Sequence, residues 1–453
     1  MDFKGKKVLI IGMAKTGLSV ASFLHDHGAE VLVNDIKSRD EVSEEVKILE
    51  SKGIKTFTGS HPEKLLDDVN LVIPSPGVSL NIPILREAKR RGLHIISELE
   101  LGFLFSRARI IAVTGTNGKT TTTTLINEIL KNDGKETVVA GNIGIPLVRV
   151  AESVSINGYI VTEVSSFQLE AIEKFKPQIS VILNITPDHL NRHLTFENYV
   201  LAKSRIFENQ DENDFVVLNA DDDLVRGLSQ KTRSKVVFFS RKKELDDGVF
   251  VKNDVIVIKD KNRLCPVCHS KELGIKGCHN LENALAATAV AWLCNVNLNS
   301  LAETLKDFQG VEHRLEYVET IAGVKFINDS KATNPDAAIK ALEAVEEPIV
   351  LIAGGMEKGV DFTGFAQSFK NRVKALVVLG ETASKIAEAA RENGVTCIKE
   401  VSTMEDAVNE AFKMAVPGDC VLLSPACASW DMFKNFEERG RIFKKSVREI
   451  GRK

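Results

Sequence analysis

The chain has 453 residues, with 59 Lys and Arg against 62 Asp and Glu, a formal net charge of −3, and 43% hydrophobic and 27% charged residues. That composition is ordinary for a water-soluble globular protein and gives no reason to expect a nucleic-acid or anionic-membrane partner, so an anionic ligand must be held by a local site. The length suggests about three domains of roughly 150 residues. Seven cysteines, odd and sparse, exclude a disulfide framework, and no stretch reaches the ~18 apolar residues that span a bilayer.

The start, Lys4-Gly5-Lys6-Lys7 and an apolar run to Ile11, superficially imitates a secretion signal. The run is short, ends at Gly12, and is followed by Lys15 without a small-residue cleavage pattern, so it reads as a first strand and a cytoplasmic protein is expected. Up to residue 97, strands at 8–11, 30–34, 71–74 and 94–96 alternate with helices at 17–27, 41–52 and 84–91. Such alternation implies a parallel sheet. The turn from Gly12 to Gly17, with Asp35 closing the second strand, imitates a dinucleotide fingerprint but lacks its middle glycine. Met13 to Thr16 would crowd a pyrophosphate against the backbone, which disfavours an NAD-dependent dehydrogenase. Another nucleotide fits the strand ends, with Asp35 and Lys37 near a ribose or uracil and Pro74-Ser75-Pro76-Gly77-Val78 as the second turn. Plain turn chemistry explains these residues equally well.

From 98 to about 310 the organising stretch is Ile110-Ile-Ala-Val-Thr-Gly115-Thr116-Asn117-Gly118-Lys119-Thr120-Thr121. A β-branched run breaks at glycine and enters a helix over 119–131. Unpaired N–H groups, the helix dipole and glycine's close approach together make an anion site. Lys119 would offer a point charge to the β/γ-phosphates of ATP and Thr120 a hydroxyl to Mg²⁺. The usual phosphate-loop pattern wants glycine where Val113 stands, so the loop is short at its front and a structural turn is the alternative. Asn142 follows in a Gly-rich loop. Strand 159–163 ends on Glu163, and a strand-end acid facing a phosphate loop is how such folds hold Mg²⁺, although a lone one is usually solvated.

Strand 180–185 is followed by Asp188-His189, and a helix then carries Lys203, by default a solvated surface charge. After a charged, β-rich stretch (about 215–275), Asn280 and Asn283 lie three apart on one helix face, where they could cap the helix or read a nucleobase. Cys265-Pro-Val-Cys268-His269 and Cys278-His279 allow a zinc site at unusual spacing or reduced thiols in a hairpin.

Beyond 311, strands at 324–328, 349–353, 375–379 and 420–423 alternate with helices at 335–345, 382–393, 404–415 and 433–448. Polar clusters follow the strands: Asn328 to Asn334, Gly354 to Gly359, and Ser424 to Trp430. Ligands in open α/β sheets sit at such ends. The linker carries His313-Arg314, a basic pair suited to a phosphate.

These motifs occur in the order found in one family. Gly115 to Thr121, Glu163-Val-Ser-Ser-Phe-Gln-Leu, Asp188-His189, His279-Asn280-x-x-Asn283, His313-Arg314 and Asp329-Ser-Lys331-Ala-Thr333-Asn334-Pro make the chain resemble the bacterial Mur ligases over its whole length. The tail from Leu423 to Gly440 points to the branch that adds D-glutamate. The resemblance implies an α/β fold in three domains: a Rossmann-like UDP-binding domain at 1–97, a P-loop ATPase-like mononucleotide-binding domain at 98–310 and a Rossmann-like amino-acid-binding domain at 311–453. It implies ATP, two Mg²⁺ sites, UDP-N-acetylmuramoyl-L-alanine and D-glutamate, joined through an acyl phosphate in peptidoglycan precursor synthesis, by a monomer. Carried over residue by residue, Gly115, Thr116, Asn117, Gly118, Lys119, Thr120, Thr121, Asn142, Asn280, Asn283, Arg314 and Asp329 surround ATP. Thr120, Glu163, His189 and Lys203, the last carbamylated, serve the metals. Lys119, Lys203, His189 and Arg314 are the catalytic set. Thr16, Asp35, Lys37, Ser75 and Gly77 hold the UDP-sugar, while Lys331, Thr333, Lys358, Ser429 and Phe436 hold D-glutamate. Ile36 departs from the polar residue expected beside uracil, and the cysteine cluster has no counterpart in the family. The rival readings are a related ligase adding another amino acid or extending folate, and a nucleotide-switched binding protein.

Overall fold

Short apolar strands punctuated by glycine turns build three sheets. The computed structural model describes residues 3–261, 263–357 and 359–452, and the chain divides into two compact units, Met1–Phe308 and Gln309–Lys453. In the first unit, strands β1 (Lys7–Ile11), β2 (Glu30–Asp35), β3 (Lys55–Thr58), β4 (Leu71–Pro74) and β5 (His94–Ile95) form an all-parallel sheet in the order β3-β2-β1-β4-β5. Alternate residues of β1 feed two cores: Val8 and Ile10 pack with Val20, Leu24 and Leu49, whereas Leu9 and Ile11 pack with Ile84 and Leu85. The sheet is therefore covered by helices on both faces. Strand β3 escapes the sequence pattern because it is a half-exposed edge strand with Phe57 as its one large apolar residue.

The same unit holds a nine-stranded sheet made of β6 (Arg109–Thr114), β7 (Thr137–Gly141), β8 (Tyr159–Glu163), β9 (Ile179–Ile182), β10 (Phe215–Asn219), β11 (Lys235–Ser240), β12 (Gly248–Lys252), β13 (Val255–Asp260) and β14 (Arg263–His269). Its order is β14-β13-β12-β11-β10-β9-β6-β8-β7, and only β12-β13-β14 run antiparallel. Strand β6 lies between β9 and β8, so the loops leaving these three strands meet at one edge, where ligands of such sheets bind. Strand β9 stops at Ile182, three residues before the expected end, which releases Asn184 into a loop.

The second unit carries β15 (Glu316–Ile321), β16 (Val324–Asn328), β17 (Ile349–Ala353), β18 (Val373–Val378), β19 (Ile398–Glu400) and β20 (Cys420–Leu423) in the order β15-β16-β20-β17-β18-β19. Strands β16, β20 and β17 are neighbours and parallel, so the three polar clusters that follow them emerge side by side. Among the described residues no helix is long and apolar enough to cross a membrane.

The two sheets of the first unit are joined by helix Glu98–Phe105, capped by the Ser97 hydroxyl. Its Glu100, 1% exposed, accepts the backbone N–H groups of Glu173, Lys174 and Phe175 at 2.9, 2.9 and 2.8 Å. Glu98 accepts from the Val148 N–H at 2.8 Å, and burial pushes its carboxyl up to about 7. The helix is shared by two cores, with Leu99 and Leu147 in that of the larger sheet and Leu101 and Val148 in that of the smaller. Truncating Glu100 would leave three backbone donors, that of Phe175 buried, without their acceptor. Glu100→Ala should lower the unfolding free energy by about 3 kcal/mol in denaturant titrations, and a loss below about 1 kcal/mol would show that water replaces the clamp.

Candidate functional site

The turn after β6 is shaped by two glycines. Gly118 precedes helix Lys119–Asn132 with φ +84°, and a Cβ there would lie 2.2 Å from Asn283 Oδ1. Only glycine reaches that conformation and that approach without strain. Asn184, freed at the exit of β9, clamps the turn from below: its Oδ1 accepts the Asn117 N–H at 2.9 Å and its Nδ2 donates to the Asn117 carbonyl at 3.1 Å. The Thr116 hydroxyl donates to the Thr186 carbonyl at 3.0 Å and lies 3.2 Å from the Tyr199 hydroxyl.

Two lysines converge on one oxygen of this turn. Lys119 Nζ donates to the carbonyls of Gly115 and Thr116, each at 2.9 Å, and Lys203 Nζ donates to the Gly115 carbonyl at 2.8 Å. Lys203 is 2% exposed and sits over the Tyr199 ring, so it is not the solvated helix-flank charge that its position in the sequence suggests. Burial, reinforced by the Lys119 charge, holds its amine well below the ordinary lysine value. An exposed lysine loses its proton only near pH 10; burial shifts this one towards the neutral amine.

At the end of β8 the Glu163 carboxylate is buried and bridges two neutral donors, the Thr120 hydroxyl at 2.8 Å and the Asn142 amide at 2.7 Å. The turn, the helix start and this carboxylate are adjacent because β6 pairs with β8. Oxygen donors of this kind suit a hard divalent cation beside phosphates, so the residues fit Mg²⁺ and a nucleoside triphosphate. His189 takes the left-handed conformation (φ +53°), packs on Phe167 with ring centroids 4.9 Å apart, and has its imidazole pulled below its ordinary value by burial. Asn283 accepts from Thr122 and donates to Asn280, and Asn280 also caps the Lys276 carbonyl. The structure thus brings together Gly115 to Thr120, Asn142, Glu163, Lys203 and Asn283, while Thr121 is buried in the helix.

Around the smaller sheet, Asp35 holds its own turn, accepting the N–H groups of Met13 at 2.8 Å and Lys37 at 3.0 Å. Ser75 donates to the Gly12 carbonyl at 3.1 Å, tying the turn after β1 to the turn after β4. Thr16 is half-buried, and Lys37 and Gly77 are exposed.

In the second unit Asp329 is buried, accepts the Ser424 hydroxyl at 2.9 Å and the Leu315 N–H at 3.2 Å, and feels the Arg314 charge. Of the expected basic pair, His313 is buried against Gly440 and Asn328, whereas Arg314 is half-buried. Lys331 Nζ lies over the Phe436 ring, Ser429 is buried and Thr333 exposed; Lys358 lies outside the described residues. Sequence reasoning passed over Arg439. It is 1% exposed, donates to Ser330 Oγ, the Ser330 carbonyl and the Cys427 carbonyl at 3.0, 2.8 and 3.1 Å, and burial brings it down to about 10. The signal was its place one turn after Phe436. Asn184 and Tyr199 were missed as well, since neither carries a charge.

The cysteines do not form a metal centre among the described residues. Cys265 and Cys268 stand opposite Ile258 and Ile256 across β13 and β14, all are free thiols, and Cys278 is exposed. Among the described residues the one group of three His, Cys, Asp or Glu ligand atoms within 4.8 Å is Glu312, His313 and Glu316. There the Lys444 ammonium bonds both carboxylates at 2.6 and 2.8 Å, which makes it an ion-pair cluster.

Family models describe three parts of the chain: a Mur ligase MurD-like N-terminal domain at 6–97, a Mur ligase middle domain at 113–291 and a Mur ligase glutamate ligase domain at 313–427. The chain is 53% identical over 446 residues to the UDP-N-acetylmuramoylalanine–D-glutamate ligase of Pelotomaculum thermopropionicum, covering 98% of each. It is 49% identical to the protein of that name from Alkaliphilus metalliredigens, covering 100% of both. The fold is similar to that of UDP-N-acetylmuramate–alanine ligase from Thermotoga maritima (TM-score 0.60, 22% identity, 98% of this chain and 99% of that one). It is also similar to that of a pseudomurein peptide ligase type C from Methanothermus fervidus (TM-score 0.57, 20% identity, 98% and 100%).

Asp329 tests the electrostatics of the second unit. Burial raises its carboxyl from 3.8 to about 7, so the stability it contributes is full below the unfolded value and is lost as pH rises through about 7. Asp329→Asn removes that loss. Denaturant titrations should show the variant gaining on wild type by up to about 4 kcal/mol between about pH 4 and pH 8. A difference independent of pH would contradict a raised carboxyl.

Proposed function

The chain belongs to the Mur ligase family, and we propose that it joins D-glutamate to UDP-N-acetylmuramoyl-L-alanine by an amide bond driven by ATP. The carboxylate of the L-alanine arm attacks the γ-phosphorus, forming an acyl phosphate and releasing ADP. The amine of D-glutamate then attacks the acyl carbon, a proton leaves the nitrogen, and inorganic phosphate departs. The observation that carries this reading is the joint arrangement of Lys119, Lys203, Thr120 and Glu163 at one strand-end turn, in a chain similar to D-glutamate ligases along nearly all of its length.

The first step drives an anion towards a polyanion. Two like unit charges ~4 Å apart repel by ~4 kcal/mol at an effective dielectric of 20, so catalysis is positioning plus charge compensation. Lys119 supplies a fixed cation to the phosphates. Thr120 and Glu163 would hold Mg²⁺, with His189 serving a second ion; bound Mg²⁺ supplies charge neutralisation at the phosphate oxygens. Asn280 and Asn283 are assigned to the adenine side. Thr16, Asp35, Lys37, Ser75 and Gly77 are assigned to the UDP-sugar. In the second unit, Arg314 and Asp329 are assigned to the nucleotide, and Lys331, Thr333, Lys358, Ser429 and Phe436 to D-glutamate, whose two carboxylates need cations and hydroxyls. The reading puts the reaction in the cytoplasm, where ATP is supplied, and in a single chain, which carries every assigned residue itself.

Lys203 joins this scheme as a carbamate. Its neutral amine adds CO₂, forming an N–C bond and releasing one proton, and the product is a carboxylate-like anion able to orient a metal. The depressed amine supports this.

Two measurements test the reading. Phosphate release should require UDP-N-acetylmuramoyl-L-alanine and rise with D-glutamate but not with L-glutamate, L-lysine or meso-diaminopimelate; a rate indifferent to the amino acid would point to a nucleotide switch, and a preference for another amino acid to a different ligase. Lys203→Ala should lose at least ~100-fold in turnover, a scale set by removing one positioned charged group, and added acetate should restore part of it. Wild-type-like turnover without rescue would exclude the carbamate.

A further inference from the structure

The turns assigned to the UDP-sugar and the loops assigned to ATP and metal touch through two cations that reach in opposite directions. From the smaller sheet, Lys15 Nζ donates to the Gly144 carbonyl at 2.5 Å. Gly144 belongs to the loop whose Asn142 is bonded to Glu163 through both side chain and backbone. From the larger sheet, Arg192 Nη2 donates to the Val78 carbonyl at 2.9 Å.

Arg192 is the better built of the two. Its side chain is 14% exposed, with Nη2 on Glu170 Oε2 at 2.7 Å and Nε 3.4 Å from Glu170 Oε1. Its guanidinium lies 4.9 Å from the centre of the Phe167 ring, and that ring packs on His189. On the far side, Val78 N–H donates to the Ser75 carbonyl at 2.9 Å, and Ser75 Oγ donates to the Gly12 carbonyl at 3.1 Å. One planar cation is therefore oriented by a carboxylate, stacked on the aromatic ring that packs on His189, and bonded to the turn after β4, which is itself tied to the turn after β1. A lysine could reach one of these partners but not satisfy all three, because the fork geometry is what divides the bonds.

We propose that Arg192 is a positioning residue for the reaction: it holds the 75–78 loop in register with the 188–193 segment, so that the acyl end of the nucleotide-sugar meets the γ-phosphate. The role rests on the reaction assigned above. It acts through Val78 and Phe167 and requires no contact with substrate. Register matters because a misplacement of about 1 Å at a reacting pair costs on the order of 100-fold in rate.

The test is steady-state kinetics on the full chain with UDP-N-acetylmuramoyl-L-alanine, ATP and D-glutamate. Arg192→Leu should lower kcat by at least about tenfold and raise the KM for the nucleotide-sugar, with the KM for ATP unchanged within about twofold. Arg192→Lys should recover part of the kcat. Glu170→Gln, which keeps the arginine but loosens its orientation, should show the same split at smaller amplitude and serves if Arg192→Leu does not fold. A wild-type kcat in the variants, or equal rises in both KM values with a matching fall in melting temperature, would overturn the proposal and leave Arg192 as a structural staple. Lack of D-glutamate-dependent turnover in wild type would fault the assigned reaction; variants that match an active wild type fault the role of Arg192 alone.

Discussion

Two lysines on one carbonyl oxygen are the constraint from which the larger sheet's site follows. Lys119 and Lys203 both donate to Gly115, and the second does so almost wholly out of water. Two ammonium groups side by side and out of water are disfavoured, and Lys203 is the one whose charge is weakened. The arrangement holds because the turn cannot relax: Asn184 grips Asn117 on two sides, and Gly118 is pressed against Asn283. A rigid turn at a helix start, carrying the Lys119 ammonium, suits an anion. The buried Glu163 then becomes a neighbour rather than a competitor, because its oxygens are occupied by a hydroxyl and an amide.

Sheet order explains why these groups meet. Strands β6 and β8 are adjacent although β7 separates them in sequence, and β9 flanks β6 on the other side. Three loops distant along the chain therefore open at one edge. The second unit repeats the device with β16, β20 and β17, where the buried Arg439 stitches Ser330 to Cys427 and fixes two of the exits against each other. The polar groups of each sheet gather at strand ends because the strands themselves are filled with Val, Ile and Leu that must be covered on both faces.

Much of this was legible from the chain itself. Strands β4, β16, β17 and β20 fall on the residues where the apolar runs predict them, because central parallel strands are continuous hydrophobic segments. The edge strand β3 was not legible, since half its surface faces water and its pattern is weak. Among candidate site residues, the positions of charged groups near strand exits were legible: Lys119 opens the helix after the turn, Glu163 ends β8 and Asp329 follows β16. Neutral clamps such as Asn184 and Tyr199 were invisible, because their effect depends on which loops the topology brings together. The burial of Lys203 was hidden for the same reason, as a helix position does not reveal the far wall against which it packs. Of the two readings of the cysteine spacing, reduced thiols in a hairpin is the one the structure matches, with Cys265 and Cys268 on β14 paired to β13.

The linker helix Glu98–Phe105 has a bearing on how such a chain could arise and be reshaped. Because Leu101 and Val148 complete the apolar interior beneath the smaller sheet, the leading hundred or so residues are not a portable module. Recombination that grafted them onto a foreign partner would have to bring the helix and the Val148 turn along, or leave an open socket. Diversification of this leading part is thereby confined to its turns, where sequence can drift without disturbing the shared interior.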